Sequence, residues 1–213
     1  FPDYANSKEN IAKDMEKIKA AGFTDIIVDV RPTTGDVLFN TNVVDQVKRM
    51  DVWGNSGYSY YERTETWDYL QAFIEEARIQ GLKVNASINT FVGGYLCPYN
   101  LGHDGVLFRD ESKKGWASVA NLADGLTNTM DLLDDETDYG AKFFNPANDD
   151  VQNFVLQLLA DLAKYDLDGI ILDRCRYDDY GLESDFSDIS KQKFAEYIGE
   201  TVANFPADIM APG

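Results

Sequence analysis

The sequence predicts an α/β fold of the (β/α)8 TIM-barrel type, with only a section of the barrel present in 213 residues. Three observations predict it. A helix comes first, and strand and helix then alternate, the order of parallel βαβ units. Helix-to-strand returns are short, as at Gly81 and Leu82, whereas strand-to-helix connections are long, from Pro32 to Glu65 and from Thr90 to Ala147. Long loops on one side only fit a barrel whose upper loops build a site better than a plain doubly wound sheet. The third observation is DGIILDRCRYD, Asp168 to Asp178, where a short Ile-rich run ends abruptly in charged residues. Buried parallel strands read this way, and ligands of parallel α/β folds bind beyond the carboxyl ends of the strands.

Taken in order, Ser7 can cap a helix through Ala21, with Ile11, Met15 and Ile18 on one face and Gly22 as its stop. Thr24 to Val30 is the first strand. Simple alternation gives Asp29 and Arg31 the parity of Ile27, so both should project from one face. A helix from about Thr66 to Gln80 carries the stripe Leu70, Phe73, Ile74 and Ala77. Lys83 to Asn89 alternates Val84, Ala86 and Ile88 with Asn85, Ser87 and Asn89. In a barrel the apolar set would face the helices and the polar set the interior. Asn148 is a helix cap followed by Asp149 and Asp150, favourable in a first turn, and by Val151, Phe154, Val155, Leu158, Leu159 and Leu162. Gly169 to Leu172 is the third strand. A last helix is expected from Ser187 to Ala203, with Phe194, Tyr197, Ile198 and Val202 inward.

A full barrel needs about 250 residues and eight strands. The chain therefore reads as a single partial domain over 1–213, and the remaining strands are expected from further sequence or another chain. Phe1 in place of Met reads as a trimmed amino terminus, with no signal peptide in view. No apolar run is long enough to span a membrane. The net charge of −18 repels nucleic acid and anionic lipid, so neither is expected as a partner, while a neutral substrate is unaffected.

Three segments carry a family resemblance: FTDIIVDVRPTTGDVLF, WDYLQAFIEEARIQGLKVNASINTFVGG and FFNPANDDVQNFVLQLLADLAKYDLDGIILDRCRYD. Together, from about Ser7 to Val202, they resemble the family-10-like glycosyl hydrolases (GHL10), in particular the branch of gut Bacteroidetes. The resemblance implies a (β/α)8 barrel, secreted, periplasmic or attached to the cell surface, acting on a polysaccharide or glycan. It places the visible strands as the second, third and fourth of that barrel. It puts a catalytic carboxylate, nucleophile or acid/base, at Asp173, and it lines the sugar pocket with Asp29, Arg31 and Asn89.

Glycoside hydrolysis takes two carboxylates, about 5–5.5 Å apart when configuration is retained and about 6.5–9.5 Å when it is inverted. One must be protonated and the other charged. Asp173 suits the charged role beside Arg174 or Arg176, and Arg174, Arg176 and Tyr177 are candidates for binding the substrate. Asp29 and Asp178 are the candidates for its partner. Trp53 and Tyr95, with other aromatics of the long loops, could stack on sugar rings, though anchoring of the loops reads equally well. The alternative function is a carbohydrate-binding or structural segment without turnover, and the bland reading of the 173–178 cluster is an ion-paired surface loop.

No cofactor is implied. The acidic runs DLLDDETDY and DDYGLESDFSD offer oxygen ligands to a structural calcium, but neither has EF-hand spacing and solvated surface is the better reading. Cys97 and Cys175 have no zinc spacing; they follow consecutive strands, so they could pair, but two free thiols are favoured. His103 is the sole histidine and has no nucleophile elbow near it, so it reads as a loop residue.

Overall fold

The computed structural model describes residues 5–54, 57–97, 102–132, 140–178 and 181–212, without side chains for 50–54, 57–61, 96, 97 and 102. The chain packs as two compact units: one of 1–32, 36–88 and 158–173, the other of 33–35, 89–157 and 174–213.

The first unit holds the predicted βαβ pattern. Helix α1 (Lys8–Ala20) starts where Ser7 Oγ accepts the Asn10 N–H at 3.1 Å, and it ends before Gly22, whose φ of 89° only glycine adopts readily. Ile11 and Met15 are fully buried on its inner face. Strand β1 (Asp25–Arg31) follows, then α2 (Tyr69–Ile79), capped by Asp68 accepting from Gln71 N–H at 3.1 Å, then β4 (Lys83–Asn89). Between β1 and α2, where the sequence showed only a long loop, a hairpin of β2 (Arg49–Gly54) and β3 (Gly57–Glu62) intervenes. Leu70, Leu82, Val30 and Val37 are fully buried, each contributing roughly 1.5–3 kcal/mol through removal of apolar area from water.

Strand β10 (Gly169–Asp173) completes a three-stranded sheet in the order β1-β4-β10. β1 and β4 pair in parallel from Asp25 opposite Lys83. β10 begins beside the start of β4, because Asp168 N–H donates to the Val84 carbonyl at 2.8 Å and position 169 lies over Asn85. It therefore runs parallel too. A Cβ at 169 would sit 2.6 Å from Asn85 Oδ1, so a larger residue there would require the Asn85 side chain to move. Below the strands, Arg78 on α2 ties the sheet's amino end together. It donates to Asp168 at 2.7 Å, to Asp166 at 3.2 Å and to the Leu82 carbonyl at 3.1 Å. The sheet has three strands and no closed barrel is formed among the described residues; β1 and β10 are its outer strands.

The second unit is built differently. The stretch read as a loop from Thr90 to Ala147 contains β5 (Val92–Cys97), β6 (Gly102–Asp104), α3 (Val106–Arg109), a 3-10 turn at Glu111–Trp116, the hairpin β7 (Val119–Leu122) and β8 (Gly125–Asn128), and β9 (Ala141–Phe143). β6, β5 and β9 form an antiparallel sheet. Backbones cross closely at Gly94 and Gly105, where a Cβ would lie 2.1 Å from the Asp104 carbonyl oxygen and 2.3 Å from that of Gly93 respectively. Helix α4 (Asp149–Leu162) starts at Asn148, whose Oδ1 accepts the Asp150 N–H at 2.9 Å. Its Phe154 meets Trp116 and Phe144 with centroids 5.6 Å away, edge to face.

The last helix, α5, covers Asp188–Ile198 and stops at Gly199 (φ 72°), short of the predicted Ala203. The predicted inward stripe is not inward: Tyr197 is 89% exposed, Phe194 and Ile198 are exposed, and only Val202, beyond the helix, is buried. The helix is held instead by its first turn. Ser187 and Ser190 both donate to Asp185, at 2.5 and 2.6 Å.

Candidate functional site: the strand ends

Register decides which side chains meet. Ile26, Val28 and Arg31 pair with Val84, Ala86 and Ile88, and all six are buried. Ile27 and Asp29 pair with Asn85 and Ser87, and this second set forms the open face, with Ile27 63% exposed. The expected shared parity of Asp29 and Arg31 fails, because the register shifts between them and Val30 is the extra residue. Asp29 stays on the open face while Arg31 turns to the buried one.

Arg31 thus has no surface open to a ligand. Burial lowers its pKa to about 10, against the opposing pull of the carboxylates of Asp36 and then Asp29. Asp36 is itself buried, and the Asp29 carboxylate accepts the Arg31 N–H at 3.3 Å. The segment after β1 folds back here, Leu38 N–H donating to the Val30 carbonyl at 2.9 Å. This geometry makes Arg31 a positioning residue for the end of β1.

On β10, position 169 points at Asn85 on the open face, and the two-residue period carries Ile171 and Asp173 to that same face. Asp173 is exposed. The next residue, Arg174, has φ 45°, the single non-glycine residue with positive φ among the described residues. Side chains other than glycine adopt this region at a cost of roughly 1–3 kcal/mol, and such residues cluster at functional sites. Asp29, Ser87 and Asp173 therefore occupy one face at the carboxyl ends of three parallel strands. β1 and β10 are two strand spacings apart, roughly 9.5 Å, which is too wide for a retaining carboxylate pair without convergence of the side chains.

The remaining predicted residues belong to the second unit or have side chains outside the described residues. Asn89 closes β4 and is buried; Tyr95 is buried in β5. Arg176 lays its guanidinium over the Phe143 ring, 4.9 Å from the centroid, and donates to the Tyr177 carbonyl at 2.8 Å. Burial, and then the charge of Asp185, push the half-buried Tyr177 phenol above its ordinary pKa. Asp178 is half-buried. The Trp53 and Cys97 side chains lie outside the described residues, as does most of the run DLLDDETDY. Cys175 is a free, exposed thiol. His103 stacks on Phe108 at 4.2 Å. Among the described residues no three His, Cys, Asp or Glu converge as a metal site, and no helix is long and apolar enough to cross a membrane.

Sequence reasoning placed Asp185 only within an acidic run read as solvated surface. Its carboxylate accepts from the Val119 N–H (2.7 Å), Asn145 Nδ2 (2.6 Å), both serine hydroxyls named above and the Ser187 N–H (3.3 Å). The only local signal was the sequence Asp-Phe-Ser, an ordinary cap pattern.

No family model matches the chain. It is similar to an S-layer-related protein of Niallia circulans, with 30% identity over an alignment that covers 94% of this chain and 12% of that protein. The chain thus spans about an eighth of its curated relative's length. Among solved structures it is similar to α-L-fucosidase isoenzyme 2 from Paenibacillus thiaminolyticus, with a TM-score of 0.54 and 20% identity, covering 93% of this chain and 24% of that one. A hypothetical protein from Ruminiclostridium thermocellum aligns with a TM-score of 0.49 and 12% identity over 94% of this chain and 92% of that one. The fucosidase likeness is one of fold: the chain shares a mixed α/β architecture with the part of the fucosidase that it matches.

Proposed function

We propose that this chain is part of a carbohydrate-active barrel of the family-10-like glycosyl hydrolase kind, carried by a longer cell-surface protein, with Asp173 as a catalytic carboxylate. The observation that carries the proposal is the single strand-end face holding Asp29, Ser87 and Asp173. Ligands of parallel α/β sheets bind at that end. The strained backbone at Arg174, directly after Asp173, supports it, as do the fold of the fucosidase and the surface location named for the S-layer-related relative. Ile27, Ile170, Ile171 and Leu172 are exposed on the sheet. Further strands would cover them and would bring the second carboxylate of a retaining pair, since Asp29 stands two strands from Asp173.

Turnover is tested on the longer polypeptide, by reducing-sugar release from a broad glycan panel. Asp173→Asn should lower kcat at least about a thousandfold, with glycan affinity kept within about threefold. A glycan that binds the parent polypeptide without being cleaved favours the second reading, a carbohydrate-binding segment without turnover. An Asp173→Asn variant with parental kcat removes Asp173 from the chemistry.

A further inference from the structure

A separate cavity of about 280 Å³ lies within the first unit, built by the β1–α2 connection and sharing no residue with the strand-end face. Its wall includes Asn40, Asp45, Lys48, Arg63, Glu65 and Trp67. The size is at the small end for ligand pockets, roughly 300–1,000 Å³, enough for one ring and too little for a drug-sized molecule.

The wall's charges cancel, two cationic against two anionic, so it selects neither an anion nor a cation. Asp45 and Lys48 pair with each other at 3.1 Å. Arg63 braces the wall, donating through Nη2 to the Trp67 carbonyl at 3.1 Å and through its backbone N–H to the Lys48 carbonyl at 2.8 Å. Trp67 is half-buried and stacks on Tyr69 at 6.0 Å with an interplanar angle of 9°, which fixes the indole. Glu65 carries an oxygen, Oε2, that is buried and meets no hydrogen-bond donor. A preset indole with an amide and the Glu65 side chain in the same wall forms the chemistry that binds a sugar ring: apolar C–H surface on the aromatic, hydroxyls on the polar groups.

We infer that this cavity is a second carbohydrate site, holding one neutral pyranose unit of a glycan and serving to retain the polymer; the inference rests on the reading that the chain's ligand is a carbohydrate. The test is calorimetric titration of the longer polypeptide with neutral oligosaccharides, alongside the NMR shift of the Trp67 indole N–H. Trp67→Ala should weaken binding about tenfold, and Glu65→Gln and Lys48→Ala about threefold each, while Asp173→Asn leaves affinity nearly unchanged. Lys48 is exposed and Glu65→Gln is isosteric, so those two variants read out binding even if Trp67→Ala perturbs the Tyr69 stack. Glycan binding that survives Glu65→Gln, Lys48→Ala and Trp67→Ala at parental affinity, with an unmoved indole signal, overturns the second site and leaves the carbohydrate reading standing. Absence of any glycan binding by the parent overturns both.

Discussion

The two units solve the same problem with different materials. The first buries alternating apolar residues of β1 and β4 beneath two capped helices, and its polar bonds sit at the rims, as at Arg78 and Ser7. The second gathers short antiparallel pieces around an aromatic cluster and a buried polar knot: Asn145, Asn121 and Ser118 are all fully buried, and Asp185 takes five donors. Periodic burial tolerates small changes, because each position contributes an increment. A polar knot does not, since removal of one acceptor leaves several buried donors bare.

The comparison breaks first at a place where the first unit behaves like the second. Arg31 is a buried cation against Asp36 and Asp29 at the end of β1. Arg31→Ala leaves the buried Asp36 carboxylate without its counter-charge, and should cost about 3–5 kcal/mol in urea denaturation. The double variant Arg31→Met with Asp36→Leu should recover most of that loss. If the double variant is no better than the single, the bulged end of β1 needs its charges for some other reason than mutual neutralisation.

The second test is sharper about the contrast. Asp185→Ala strips the acceptor from Val119, Asn145, Ser187 and Ser190, with an expected loss of about 2–4 kcal/mol. Hydrogen exchange should show protection falling across 117–131 and 141–148, while β1, β4 and α2 keep theirs. Equal loss in both sets of amides would mean that the units open together, and the contrast drawn above would lose its thermodynamic content.

The same contrast explains what was legible in the sequence. Helix α1, strand β4 and the start of α4 were readable to within a residue, because their caps and periods are local: Ser7, Gly81 and Asn148 act on their immediate neighbours. The strand-end position of Asp173 was readable for the same reason. Arg31 was not, because a bulge inserts one residue and reverses parity without any mark in the sequence. The interior of Thr90–Ala147 was not readable either. Its strands are three to six residues long, and their partners lie far along the chain, as β5 with β9 or Val119 with Asp185. The stripe of α5 misled because an apolar period says that a face exists and not that anything covers it.

The smallest expected effect concerns the rim of the first unit, where periodic packing should make a single polar bond nearly dispensable. Asp168 holds the amino ends of β4 and β10 together: its carboxylate accepts the Val84 N–H and the Arg78 guanidinium, both at 2.7 Å. Those two bonds, the backbone one first, keep its pKa below the ordinary carboxylate value. A depressed carboxylate stabilises the fold above its unfolded pKa, and that contribution disappears as pH falls through the lower folded value. Asp168→Asn keeps an acceptor for Val84 but loses the charge facing Arg78. The variant should melt slightly below the parent at pH 7, and the gap should close only as the pH falls through the parent's lowered folded pKa, beneath the ordinary carboxylate range, where its carboxylate also becomes neutral. Thermal melts at stepped pH read this directly. A gap that persists unchanged at low pH would assign the effect to altered geometry at Val84 and not to charge, and would make the rim of the first unit as dependent on exact polar placement as the knot of the second.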